Sequence, residues 1–231
     1  MQLLGGEGVR ERSAAARGGA GAALRQAQGK PRLALPQFPK FLDACEPGDN
    51  VATMMHDDWQ AQFRTVYNRG VAAWKEDRKS PASMFESRDL KFLASIGCTA
   101  QELFDFVDDL QRYGEPDFET ALAVAAIRRD YFLNVLKGKS TGRIAPMETL
   151  PAKTDQVDGI AWLPRIIEKA RLKLRGEMPA DLMYGCGGDR QFIESVNMSL
   201  PEFLKLTWDS GDNDRRIIDT VKKAAAKKSR Q

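Results

Sequence analysis

The chain of 231 residues is 42% hydrophobic and 29% charged, which is typical of a globular protein with one large or two small domains. Its three cysteines, Cys45, Cys98 and Cys186, are too few and too scattered for a disulfide framework or a structural zinc site, so we expect a reducing compartment, the cytoplasm. No apolar run approaches the roughly 20 residues of a membrane span, and the N-terminus lacks the apolar core of a secretory signal.

Residues 1–53 differ from the rest in their glycine, alanine, arginine and proline content, and we expect them to be disordered. Either translation starts at Met54 or Met55 instead of Met1, or the segment is an organelle transit peptide. The arginine content and the few acids before Lys40 favour a transit peptide. The scarcity of serine and the interrupting glycines argue against it.

Residues 54–137 are predicted to form a first helical unit. A helix runs from Asp57 to about Arg78 and ends at Ser80-Pro81, followed by a loop through Met84 and Phe85. A further helix ends at Gly97-Cys98. The pair Thr99 and Glu102 then forms a capping box that opens the next helix.

The last helix of this unit is predicted between Gly114 and Gly138, with Pro116 in an early position where its missing amide costs little. Residues 138–157 contain Gly142, Pro146 and Pro151 and are predicted to be a linker.

Residues 158–231 are predicted to form a second unit with a basic tail. Its first helix runs from Gly159 to Arg175 with Gly176 as C-terminal cap, and a last helix begins near Asp214. Opposite the apolar face of the first helix lies a basic stripe, which consists of Arg165, Lys169 and Lys173.

The second unit repeats the pattern of the first at an offset of one hundred residues. The matching positions are Asp89 and Asp189, Phe92 and Phe192, Thr99 and Ser199, and Glu102 and Glu202. We therefore predict an all-α fold of two pseudo-repeated multi-helix units, with a disordered N-terminal extension and a basic C-terminal tail.

Several strings resemble a bacterial family catalogued as domain of unknown function 5069 (DUF5069). In the second unit they are Gly159-x-x-Trp162-Leu163-Pro164-Arg165, Gly188-Asp189-x-x-Phe192 and Asp214-x-x-Ile217; in the first they include Phe92 to Thr99 and Tyr113 to Glu119. The resemblance covers residues 57–221 as two tandem copies. It implies no activity, cofactor or functional residue, because the family has none established.

The residue types exclude several chemistries. His56 is the single histidine, so a Ser-His-Asp or Cys-His site and a multi-histidine metal site are not expected. An acidic cluster could bind a divalent cation or supply an acid/base pair, but no EF-hand spacing supports this and we interpret it as a solvated face. The cluster is Asp105, Asp108, Asp109, Glu115, Asp117 and Glu119. We expect no metal and no cofactor.

A small anionic ligand is the best-supported alternative to a purely structural interpretation. A glycine loop before a helix could bind phosphate through free amides near the basic stripe, or be only a flexible turn. The candidate ligand-binding residues are Arg165, Lys169, Lys173, Gly185, Gly187 and Gly188. DNA reading by a helix-turn-helix is disfavoured, because Asp105, Asp108 and Asp109 would face phosphates.

We therefore expect a cytoplasmic, non-enzymatic module that binds a protein partner or itself. The alternative is a small-molecule enzyme or sensor with an anionic ligand between the two units. Lys222 to Arg230 could anchor the chain nonspecifically or serve as a solubilising tail.

Overall fold

A computed structural model describes the backbone of residues 50–228 and the side chains from Trp59 onwards. The predictions for residues 1–49 and for the His56 side chain lie outside the described part. The first five helices are α1 (Asn50–Lys75), α2 (Pro81–Met84), α3 (Ser87–Ser95), α4 (Ala100–Tyr113) and α5 (Phe118–Asn134). After a short 3₁₀ helix (Met147–Thr149) come β1 (Gln156–Val157), β2 (Ile160–Ala161), α6 (Leu163–Arg175), α7 (Gly187–Ser195), α8 (Leu200–Ser210) and α9 (Asp214–Lys228). The predicted all-α class is confirmed.

The segment after α1 differs from its prediction. The helix ends at Lys75, before the predicted Arg78, and Asp77 adopts a left-handed conformation with φ of 65°. Ser80 then accepts a hydrogen bond from the amide of Ser83, and Pro81 occupies the first turn of α2. The predicted loop through Met84 is therefore wrong, because a serine cap followed by proline starts a helical turn.

Both predicted capping boxes are confirmed. The Thr99 amide donates to Glu102 Oε2 at 2.8 Å, and the Glu102 amide donates to Thr99 Oγ1 at 3.1 Å. The Ser199 amide likewise donates to Glu202 Oε2 at 2.7 Å. Each box opens its helix, α4 or α8, because it satisfies amides that have no partner inside the helix.

Helix α5 is shorter than predicted. Gly114 ends α4 in a left-handed conformation, and the side chain of Asp117 accepts from the Thr120 amide at 2.8 Å. Asp117 is therefore the N-cap, and Pro116 precedes the helix instead of lying in its first turn. Asn134, not a residue next to Gly138, is the last residue of α5.

The predicted start of the first helix of the second unit is also wrong. Residues 156–161 form a two-stranded antiparallel hairpin whose turn contains Asp158 and Gly159, both with positive φ. Helix α6 begins only at Leu163, with Pro164 in its first turn. Its predicted end is confirmed, since Gly176 caps the helix with φ of 68°.

The helices share one hydrophobic core that contains Phe63 of α1, Leu103 of α4, Ile166 of α6 and Phe203 of α8. Helix α5 packs against α6 and α8, and α1 packs against α4. The core therefore joins the two predicted units, whose boundaries stay a prediction. Within the described residues, no helix is both long and apolar enough to cross a membrane.

Candidate functional site

The two lysines of the predicted basic stripe on α6 are buried and paired with carboxylates. Lys169 is 1% exposed, and its Nζ donates to Asp189 and, at 3.3 Å, to Cys186 Sγ. Lys173 is 4% exposed and forms a salt bridge with Glu102. The half-buried Arg165 donates to the Pro151 carbonyl at 2.7 Å. The stripe is therefore not a free surface, because α6 packs against α5, α8 and β1.

The glycine loop before α7 already surrounds a carboxylate of the chain itself. Asp189 is fully buried, and its Oδ2 accepts from Lys169 and, at 2.9 Å, from the Gly185 amide. Its Oδ1 accepts from Trp162 Nε1 at 2.9 Å. Asp189 thus uses the amide and the ammonium that a bound phosphate would need.

The two other glycines of the loop form the first turn of α7. A Cβ atom on Gly188 would lie 2.5 Å from Cζ2 of Trp162, whereas the nearest atom to one on Gly187 would be 3.8 Å away. Gly188 therefore lets the indole of Trp162 pack on α7. Of the six candidate residues, Lys169 and Gly185 meet at Asp189, while Lys173 reaches a different carboxylate.

A second buried carboxylate lies one hundred residues earlier in the chain. Asp89 is 2% exposed and pairs with Arg69 of α1, twenty residues earlier, as Asp189 pairs with Lys169 of α6. The Glu86 amide donates to Asp89 Oδ2 at 3.2 Å. In both cases an acid in the first turn of a nine-residue helix, α3 or α7, pairs with a cation of an earlier helix, α1 or α6.

The acidic residues of α4 do not form a solvated face. Asp108 accepts from Trp74 Nε1 at 2.8 Å, and Asp109 pairs with Arg190 of α7 at 2.7 Å. Asp105 is half-buried, and burial raises its pKa to about 7. The interpretation as a solvated face is wrong for Asp105, Asp108 and Asp109, whereas Glu115, Asp117 and Glu119 are exposed near the start of α5. No group of three metal-ligand side chains occurs in the described part of the chain.

A mixed charge cluster between α4, α5 and α6 escaped the sequence analysis. Glu102 accepts from Lys173 at 2.8 Å, and Arg128 of α5 lies close enough to act on the Glu102 carboxylate. Burial tends to raise the pKa of Glu102, but Lys173 and Arg128 hold it below its usual value. The signal in the sequence is that Arg128 lies four residues from both Val124 and Phe132, on the apolar face of its helix.

An open groove of about 400 Å³ lies where the turn between α4 and α5 meets the turn between α7 and α8. Its lining comprises Gly114, Glu115, Pro116, Asp117, Thr120, Arg190, Ser199 and Leu200. Arg190 is held on one side by Asp109 and on the other by Glu115 at 2.9 Å. Pro116 and Leu200 are buried, whereas the two groove carboxylates are exposed.

Comparison with known proteins adds one finding. No curated protein and no solved structure gives a significant match to the chain. Residues 148–231, which include α6 to α9, match one copy of the family described as Domain of unknown function (DUF5069), and this part of the chain is similar to that family.

Proposed function

We propose that the chain is a non-enzymatic, cytoplasmic binding module whose partner is a protein with a segment rich in lysine and arginine. The groove between the α4–α5 and α7–α8 turns is the docking site. The observation that carries this proposal is the open groove, whose lining combines the exposed Glu115 and Asp117 with the buried Pro116 and Leu200.

The charges of the groove favour a basic segment. Its single lining cation, Arg190, is already bound to Glu115 and Asp109, while Asp117 keeps an exposed carboxylate. Tyr113, which precedes Gly114 of the groove in the chain, is 68% exposed, and aromatic rings of this kind attract lysine and arginine. Complementary charge of this kind steers and orients a partner.

The remaining charged groups support a binding role over catalysis. Asp189 and Glu102 are buried and held by Lys169 and Lys173, so their charges stabilise the helix packing. Asp105 has a pKa near neutrality, but it lies near Lys173, accepts one hydrogen bond from Gln101 and does not line the groove.

The test measures fluorescence anisotropy of a labelled octalysine peptide, with octaglutamate as the probe of opposite charge. We expect the full chain to bind octalysine, and Glu115→Gln to weaken the affinity roughly 2- to 5-fold because one groove carboxylate is lost. Glu148→Gln, which removes an exposed acid from the 3₁₀ helix, is the matched control. Equal affinities of all three proteins, or preference for octaglutamate, would contradict the proposal.

A second copy of the chain is another source of such a segment, since α9 ends in Lys227 and Lys228. Sedimentation of the chain alone separates the two cases. A concentration-dependent dimer that weakens in Glu115→Gln would identify self-association, whereas a monomer that binds octalysine would indicate a different protein.

We also infer that the two halves are diverged copies of one unit, with DUF5069 as a bacterial family of tandem repeats. The support is the spacing of one hundred residues between the pairs Arg69–Asp89 and Lys169–Asp189 and between the two capping boxes. Gly97 and Asn197, also one hundred residues apart, both adopt positive φ after their helices. A relative in which each half matches the family separately would test this.

A further inference from the structure

Arg128 carries a buried guanidinium that the chain only partly satisfies. The residue lies on α5, is 4% exposed, and its Nε and Nη1 atoms have no hydrogen-bond partner among the described residues. Unpaired buried donors are uncommon in folded proteins, since each loses its hydrogen bonds to water. A charged group in this position therefore calls for a partner.

The nearby carboxylate is already occupied. Glu102 Oε1 pairs with Lys173 at 2.8 Å, and Glu102 Oε2 accepts from the Thr99 amide at 2.8 Å. The buried cations Arg128 and Lys173 thus share one negative charge. Asp105 lies near Lys173, but burial raises its pKa to about 7, so it is mostly neutral below that pH. Below pH 7 the cluster therefore holds one positive charge in excess.

Two other acidic groups near Arg128 do not supply the missing charge. Burial raises the pKa of the Cys98 thiol and of the Tyr131 phenol, so both stay neutral at physiological pH. Burial also lowers the pKa of Arg128, which is the direction expected for a cation without enough compensation.

The space around the guanidinium is small. Arg128 Nη2 lies against Gly176, where a Cβ atom would be only 2.3 Å away, so this glycine leaves room for the side chain. The Phe132 ring centroid lies 5.5 Å from Arg128 Cζ and closes another side. A ligand here must be compact.

We propose that Arg128 binds a small monovalent anion, with chloride as the simplest case, in the cluster between α4, α5 and α6. One negative charge balances the excess positive charge. A halide also accepts hydrogen bonds from N–H groups in any direction, so it can satisfy Nε and Nη1 of Arg128 together. This site lies on other residues than the groove and is independent of the proposed partner. It also differs from the sequence-based candidates Lys169 and Gly185, which Asp189 occupies.

The experiment follows the melting temperature of the full chain at pH 6 as sodium chloride replaces sodium gluconate at constant ionic strength. Because gluconate is too bulky for the site, we expect the melting temperature to rise by about 3 °C or more as chloride increases to about 0.5 M. In Arg128→Met the rise should disappear. Arg112→Met, which removes a half-exposed arginine from α4, should keep it.

A flat wild-type profile, or an equal rise in Arg128→Met, would overturn the proposal. If Arg128→Met does not fold, crystals of the wild-type chain in sodium bromide decide the question through anomalous scattering. A bromide peak within hydrogen-bond distance of Arg128 supports the site. A map without a peak there refutes it, whatever ions bind elsewhere.

Discussion

Lys173 Nζ of α6 lies 2.8 Å from Glu102 Oε1 of α4, and both side chains are more than nine-tenths buried. The contact joins residues 71 positions apart and links the two halves of the chain across their shared core. The Phe106 ring, with its centroid 5.3 Å from Lys173 Nζ, covers the pair and keeps water away.

Breaking this pair should be costly. We expect Lys173→Met to lower the free energy of unfolding by about 3–5 kcal/mol, because the buried Glu102 carboxylate loses its hydrogen-bonded cation and keeps only the longer-range attraction of Arg128. Urea denaturation followed by circular dichroism measures the change. Adding Glu102→Gln to Lys173→Met should restore part of the loss.

The control is Lys205→Met on α8, whose pair with Asp209 is about half exposed. An exposed pair contributes less than about 1 kcal/mol. If both lysine substitutions cost the same, burial is not what makes the Lys173–Glu102 pair important.

The two pairs spaced one hundred residues apart should differ in strength. The Lys169 side chain is 2% exposed, whereas that of Arg69 is 35% exposed. We expect Lys169→Met to cost about 3–5 kcal/mol and Arg69→Met only about 1 kcal/mol, because water can reach Asp89 once Arg69 is removed. Equal losses in parallel denaturation experiments would contradict this order.

Asp105 should make stability depend on pH near neutrality. Burial raises its pKa to about 7 in the folded chain, whereas an unfolded aspartate ionises near 3.8. The folded state therefore binds the proton more tightly, and the stability that this provides at low pH is lost as the pH rises from about 4 to about 7.

Asp105→Asn cannot ionise and should avoid that loss. We expect the variant to be more stable than the wild type at pH 8 by on the order of 2 kcal/mol, with a smaller difference at pH 5. Denaturation at both pH values measures this. Asp209→Asn, at an exposed position, should show the same difference at both, and a flat profile for Asp105→Asn would show that Asp105 ionises normally.

The adjacent glycines of α7 form a matched pair for testing the packing of Trp162. A Cβ on Gly188 would lie 2.5 Å from the indole, so Gly188→Ala should destabilise the fold by about 1–3 kcal/mol. Gly187→Ala meets nothing closer than 3.8 Å and should be neutral or stabilising by roughly 0.5 kcal/mol, since alanine restricts the unfolded chain. The reverse order would show that the indole does not pack there.

The sequence by itself determined the local features of this protein. The capping boxes at Thr99 and Ser199 and the glycine cap at Gly176 depend on groups within a few residues of each other, so the spacing was enough to predict them. The periodic apolar residues indicated the all-α class for the same reason.

Tertiary structure alone decided what the charged residues do. In the sequence, Lys169 and Lys173 lie opposite the apolar face of α6, because helical periodicity describes one helix alone. In the structure they are buried, since a lysine stem packs well among apolar side chains. Their partners, Asp189 and Glu102, come from helices that reach them only when α6 is enclosed. Arg128 likewise became a candidate site only when α4, α5 and α6 met, because burial and charge balance depend on all three helices.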